Sequence, residues 1–89
     1  MGIVVTLLNK GSCDPVSDPG LLKYAERIGQ LLPGFETAFK VTSPEMPTYE
    51  WIWGEAQKKG GPLGVFGAEL AHLLLALEGF TIRLERGDG

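Results

Sequence analysis

Apolar residues recur at helical spacing in the last third of the chain, and an alternating segment follows them. The recurring positions are Phe66, Leu70, Leu73, Leu74 and Leu77. Intervals of three and four residues place them along one side of an α-helix, so the spacing predicts a helix over residues 63–78. Apolar and polar residues then alternate over residues 80–86, which predicts a strand with one buried face.

The N-terminal part contains an apolar run and a second helical stripe. Residues 2–8 are almost all apolar and largely β-branched, which predicts a central strand. Residues 9–20 are rich in Gly, Ser, Asp and Pro, which are typical of loops. Asp18 and Pro19 form a common helix start, and the stripe that follows predicts a helix over residues 19–32, ended by the next Pro-Gly pair.

The middle of the chain alternates twice. Residues 35–42 alternate between apolar and polar, and the run over residues 48–54 places three aromatic side chains on one face: Tyr49, Trp51 and Trp53. The prolines between the two runs cannot continue a ladder, so the pattern predicts two strands joined as an antiparallel hairpin. A helix over residues 49–59 is the alternative, because Glu55 to Lys59 are helix-forming residues.

The predicted order is strand, helix, strand, strand, helix, strand within one domain of residues 1–89. With right-handed crossovers, this order predicts a ferredoxin-like α+β sandwich of βαββαβ topology, in which a four-stranded antiparallel sheet carries both helices on one face. A helical segment at residues 49–59 would instead give a small three-layered α/β unit.

Charge and composition argue against some classes of function, such as nucleic-acid binding. Eight Lys and Arg against eleven Asp and Glu leave no basic face to neutralise phosphates, which argues against nucleic-acid binding. The chain has one cysteine and no signal-peptide pattern, so we expect a cytoplasmic protein. No apolar run approaches the roughly 20 residues that span a membrane. Few heat-labile residues are present, which is compatible with a thermophilic source.

The chain is so short that association with another subunit would add substantially to the apolar surface that it buries. A domain of this size buries only about 60–65% of its unfolded surface. Small α+β domains gain burial by pairing strand edges or faces between subunits, so we expect a homodimer or a protein partner.

Two loops are candidates for binding a small ligand. The first contains Lys10, Ser12 and Cys13 shortly before a helix start, where the helix dipole favours a thiolate. A nucleophilic cysteine also needs a base, and the only histidine, His72, lies on the second predicted helix; an inert loop thiol is the simpler interpretation. His72 is expected to pair with Glu69 on the helix surface rather than to bind a metal.

The second loop precedes the last helix and consists of Lys58, Lys59, Gly60 and Gly61. Backbone N–H groups and two ammonium groups there could hold an anion such as phosphate, although an ordinary solvated loop has the same composition. The rival to an interaction domain is therefore a ligand-binding or catalytic domain whose site joins the 9–20 loop to the 58–61 loop.

One stretch resembles a known family. Leu7 to Pro15 (Leu-Leu-Asn-Lys-Gly-Ser-Cys-Asp-Pro) and Leu32 to Phe35 (Leu-Pro-Gly-Phe) resemble the opening of the small sirohydrochlorin chelatases. In that family a metal-handling histidine stands directly before the Gly-Ser pair, where this chain has Lys10. The likeness covers under half of the chain and lacks the metal-handling residue, so no metal or cofactor is expected from it.

The aromatic row of Tyr49, Trp51 and Trp53 allows three interpretations: part of the core, a contact between subunits, or a platform for a stacked ligand. The sequence contains no pair of carboxylates at a convincing spacing, no second histidine and no nucleotide-binding loop. We therefore expect a small non-catalytic cytosolic domain that acts through self-association or protein binding.

Overall fold

The computed structural model describes residues 2–87, in which three helices accompany a two-stranded antiparallel sheet. The elements in chain order are β1 (Ile3–Asn9), α1 (Pro19–Phe39), α2 (Tyr49–Lys59), α3 (Gly61–Ala76) and β2 (Phe80–Arg86). The two strands pair along their whole length, from Ile3 opposite Arg86 to Asn9 opposite Phe80. The architecture is mixed α+β.

The prediction of a ferredoxin-like fold with a four-stranded sheet is wrong. Most of the predicted strands at residues 35–42 and 48–54 is helical: residues 35–39 continue α1, and residues 49–54 begin α2. The strands expected at residues 2–8 and 80–86 correspond to β1 and β2, while the helix expected at residues 63–78 corresponds to α3.

Helix α1 runs through Pro33 because its buried stripe does not end there. Ile28, Leu32, Phe35 and Phe39 keep a spacing of three to four residues and are all buried. A proline inside a helix costs roughly 3 kcal/mol, since it lacks an N–H and crowds the carbonyl of residue i−4. Burying two phenylalanines contributes about 1.5–3 kcal/mol each, which outweighs that cost. The Phe35 and Phe39 rings stack with centroids 4.4 Å apart.

Replacing Pro33 with alanine is expected to raise the free energy of unfolding by about 1–3 kcal/mol, because the new N–H can donate to the carbonyl of Gly29. Pro33 is exposed, so the substitution removes little packing. Thermal or urea unfolding measures the change. Pro19→Ala is the matched control, since Pro19 lies in the first turn of α1, where the missing N–H has no helical partner. A loss of stability in Pro33→Ala would contradict the continuous helix.

Helix α2 replaces the predicted strand because its ends and its buried positions suit a helix. The Thr48 side chain caps the N-terminus by accepting a hydrogen bond from Trp51 N–H at 3.1 Å. Ile52 and Ala56, four residues apart, are its buried residues. Lysines in the last turn complement the helix dipole.

A tight reversal packs α2 against α3. Gly60 and Gly61 both have positive φ, 63° and 58°, a conformation that glycine adopts without strain. Beyond the reversal, Gly64 and Gly67 face Ala56 so closely that an added Cβ would lie 2.9 Å from the Ala56 carbonyl oxygen and from the Ala56 Cβ, respectively. The two helices therefore touch through small residues.

Candidate functional site

The 9–20 loop folds back on β1 and uses its own polar groups. Cys13 N–H donates to the Asn9 carbonyl at 2.9 Å, and Asn9 N–H donates to the Asp14 carbonyl at 2.8 Å. The Ser12 hydroxyl accepts from Asp14 N–H at 3.3 Å. Lys10, Ser12 and Cys13 are all exposed. The backbone N–H groups of Asn9, Cys13 and Asp14 are thus engaged within the turn.

Some polar groups of the 58–61 loop also have partners within the chain. Lys58 pairs with Glu55 at 3.2 Å, and Gly60 N–H donates to the Ala56 carbonyl at 3.0 Å as the end of α2. Lys59 and Gly61 are exposed to solvent. This segment is a helix-to-helix reversal with one ammonium group already in an ion pair.

The structure does not bring the two loops together. Helices α1 and α3 run antiparallel, since Arg27 contacts Glu69 while Gly34 lies against Phe66. Helix α3 ends at Ala76, close in sequence to Phe80, which pairs with Asn9. The 58–61 loop lies at the opposite end of this helix, whose 16 residues span roughly 24 Å. The expected joint site would have to bridge about that distance.

His72 and Glu69 do not form the expected surface pair. Glu69 instead accepts from Arg27 at 3.0 Å, and the His72 ring stacks on Trp53 with centroids 5.6 Å apart and 16° between the planes. Within residues 2–87, no three His, Cys, Asp or Glu side chains converge as a metal site would require.

The aromatic residues at 49, 51 and 53 do not share one face, because α2 is a helix. Trp51 is 42% exposed and meets Phe35 edge to face with centroids 6.2 Å apart. Tyr49 and Trp53 are partly buried and pack against the core cluster. The row expected on a strand is thus divided between the core and one exposed tryptophan.

A groove of about 530 Å³ near the end of α1 contains an ion pair that sequence reasoning missed. The Arg86 guanidinium donates to both Glu36 carboxylate oxygens, at 2.9 and 2.7 Å, and to the Pro44 carbonyl at 2.8 Å. The hydrogen bond with Glu36 raises the pKa of Arg86 above its ordinary value. Arg86 thus ties the end of β2 to α1 and to the connection before α2, and four of its five donors are occupied.

The outer edge of β1 is covered at its two ends by this chain's own residues. Val16 N–H donates to the Leu7 carbonyl at 2.9 Å, and the loop pairs with the strand between Leu8 and Pro15. At the other end, α1 crosses so closely that a Cβ on Gly29 would lie 2.8 Å from the Ile3 carbonyl oxygen. Between these two ends a groove of about 400 Å³ separates β1 from α1, so the edge is only partly covered.

The outer edge of β2 is open. The hydrogen bond from Gly87 N–H to the Gly2 carbonyl, at 2.8 Å, sets an alternation in which odd-numbered β2 residues face β1 and even-numbered ones face outward. The outward backbone groups of Ile82, Leu84 and Arg86 have no backbone partner in the described part of the chain. A cleft of about 390 Å³ lies between β2 and residues 44–46.

None of the helices within residues 2–87 combines the length and apolar character needed to cross a lipid bilayer. Comparison of the chain with protein-family models, with curated proteins and with solved structures gave no match.

Proposed function

We propose that this chain is a small non-catalytic domain that acts by associating with a second copy of itself. The observation that carries the proposal is the open edge of β2 in a sheet of only two strands. A two-stranded sheet is marginal by itself, and an edge with unpaired N–H and C=O groups is a template for another strand. The contacts of Val16 and of α1 at the two ends of the β1 edge favour pairing at β2 instead.

The proposal shifts the contact surface away from the aromatic residues. Tyr49 and Trp53 pack partly into the core of one subunit, and Trp51 lies on α2 rather than on a strand. The strand edge offers directional backbone hydrogen bonds instead, which contribute roughly 0.5–1.5 kcal/mol each when formed in place of bonds to water.

The rival proposal of a small-ligand or catalytic site receives less support from the geometry. Its two loops lie at opposite ends of α3, and some of their polar groups, such as the Lys58 ammonium and the Cys13 N–H, already have partners close by in the chain. Cys13 and His72 stand on separate elements, and no hydrogen bond between them occurs in residues 2–87. The exposed Cys13 thiol suits a reducing compartment, so we propose a cytoplasmic location for the homodimer.

Sedimentation equilibrium over a wide micromolar range tests self-association, and a dimer is expected. Trp51→Glu separates the strand edge from the aromatic surface: because Trp51 is nearly half exposed and lies outside β2, the variant is expected to fold and to dimerise as tightly as the wild type. A wild-type chain that remains monomeric at every concentration would overturn the proposed function. A folded but monomeric Trp51→Glu variant would move the contact to α2.

A further inference from the structure

We propose that β2 pairs antiparallel with β2 of the partner subunit in a single register, with Leu84 opposite Leu84 of the partner subunit. The result is one four-stranded sheet in the order β1, β2, β2, β1 across the dimer. This inference rests on the proposed function, since it specifies the contact through which the chain associates with itself.

The hydrogen-bonding phase of β2 determines which residues can bond across the interface. Ile82, Leu84 and Arg86 direct their backbone groups outward. With Leu84 at the two-fold axis, Leu84 exchanges two bonds with its counterpart, and Ile82 does the same with Arg86 of the partner subunit. Phe80 is not needed, and its N–H already donates to the Leu77 carbonyl at 3.0 Å.

Charge selects this register over its neighbours. Arg83 and Glu85 are exposed on the outer face of the sheet, and neither forms an ion pair within residues 2–87. The Leu84-centred register sets Arg83 opposite Glu85 of the partner subunit, twice per dimer, at non-hydrogen-bonded positions where side chains are closest. A register centred on Arg83 or on Glu85 opposes like charges.

A register centred on Ile82 is the remaining neighbour, and it gains no ion pair. It places Arg83 opposite Thr81 of the partner subunit, and it requires the backbone N–H of Phe80, which already has a partner. Two-fold symmetry, backbone phase and charge therefore agree on Leu84 as the centre.

The face of β2 that points toward the helices also suits this contact. Ile82 and Leu84 are only partly buried and pack at the margin of the core cluster. The adjoining cleft is lined by Met46, an adaptable apolar side chain that can cover the two opposed Leu84 residues. Arg86 is held in place by Glu36 and the Pro44 carbonyl, so the end of the edge is ordered before pairing.

Charge reversal tests the register. Arg83→Glu sets glutamate against Glu85 of the partner subunit, and Glu85→Arg sets arginine against Arg83 of the partner subunit. Each variant is expected to dimerise about 30-fold more weakly than the wild type, which corresponds to about 2 kcal/mol. An equimolar mixture of the two variants should form a heterodimer, and the double variant should form a homodimer, because both arrangements restore opposite charges.

The controls separate folding from association. Lys23→Glu makes the same charge change at an exposed site on α1 and should leave the dimer intact. Circular dichroism and thermal unfolding check that each variant folds. Hydrogen exchange supplies an internal comparison: the Leu84 amide should gain protection as concentration rises, whereas the Glu85 amide, which faces β1, should be protected throughout.

The outcomes distinguish the two proposals. A monomeric wild type overturns both the function and the register. A dimeric wild type with equally tight Arg83→Glu and Glu85→Arg dimers leaves self-association in place but overturns the β2 register. A mixture of the two single variants that fails to form heterodimers also overturns the register.

Discussion

Gly67→Ala is expected to lower the free energy of unfolding by about 1–3 kcal/mol, although alanine is the better helix former. The added methyl group would lie 2.9 Å from the Ala56 Cβ and 3.4 Å from the Phe39 Cζ. Both neighbours are buried, so relief requires α2 to move away from α3. Urea unfolding with a constant m-value measures the loss.

Gly54→Ala is the matched control. Gly54 lies on α2 with nothing within 4 Å of the position that its Cβ would take. The same substitution there should raise the free energy of unfolding by up to about 1 kcal/mol through helix propensity. A lower free energy of unfolding in Gly67→Ala together with a higher one in Gly54→Ala would support close α2–α3 packing. Destabilisation by Gly54→Ala would instead indicate that residues 49–59 are not helical.

The strands and the last helix could be predicted because their patterns are local. Residues 3–9 and 80–86 form strands as expected, but the prediction of a central strand for residues 2–8 is wrong: β1 belongs to a two-stranded sheet, and its Val4 is 60% exposed. The Leu70 and Leu74 positions of α3 are buried as the stripe predicts. In β2 and α3 the more buried residues therefore follow the period of the element.

The middle of the chain could not be predicted from period alone, since aromatic residues at 49, 51 and 53 mimic a strand. The competing signal was the cap at Thr48 together with Ile52 and Ala56, a helical spacing of four. Ile52 has no exposed surface, whereas Trp51 is 42% exposed, so the smaller side chain is the one that the fold buries. The prediction of the buried face was wrong because it assumed that the large aromatic side chains at residues 49, 51 and 53 are the buried ones.

Pro33 misled the prediction for a different reason. A Pro-Gly pair commonly ends a helix, yet the apolar spacing from Ile28 to Phe39 continues across it. Whether α1 ends at Pro33 or continues to Phe39 depends on the difference between two free energies: the cost of one proline inside a helix and the gain from burying two phenylalanines. Only the packing of the whole chain shows that the second is larger.

The candidate interface lay beyond sequence reasoning because it depends on what covers each edge. The partial covering of the β1 edge requires the return of Val16 to Leu7 and the approach of Gly29 to Ile3. The Arg86–Glu36 pair joins residues 50 positions apart. The charges at Arg83 and Glu85 were visible in the sequence, but their significance depends on the open edge of β2.

Phe35→Ala is expected to destabilise the protein most, by about 3–5 kcal/mol. Phe35 has no exposed surface, stacks on Phe39 and meets Trp51 edge to face, so truncation leaves a cavity where α1 and α2 meet. A domain of this size has a total stability of only about 4–13 kcal/mol. The midpoint of thermal unfolding should therefore fall by more than about 12 °C, or the variant should not fold.

Thr37→Gln provides the contrast that separates a helix from a strand at this position. On a strand, Thr37 would share the buried face with Phe35, and a larger polar side chain there would be strongly destabilising. On α1 it is exposed, and its hydroxyl donates only to the Pro33 carbonyl at 3.1 Å. Thr37→Gln should therefore change the free energy of unfolding by no more than about 0.5 kcal/mol. A loss comparable to that of Phe35→Ala would show that residues 35–39 alternate as a strand and that α1 ends at Pro33.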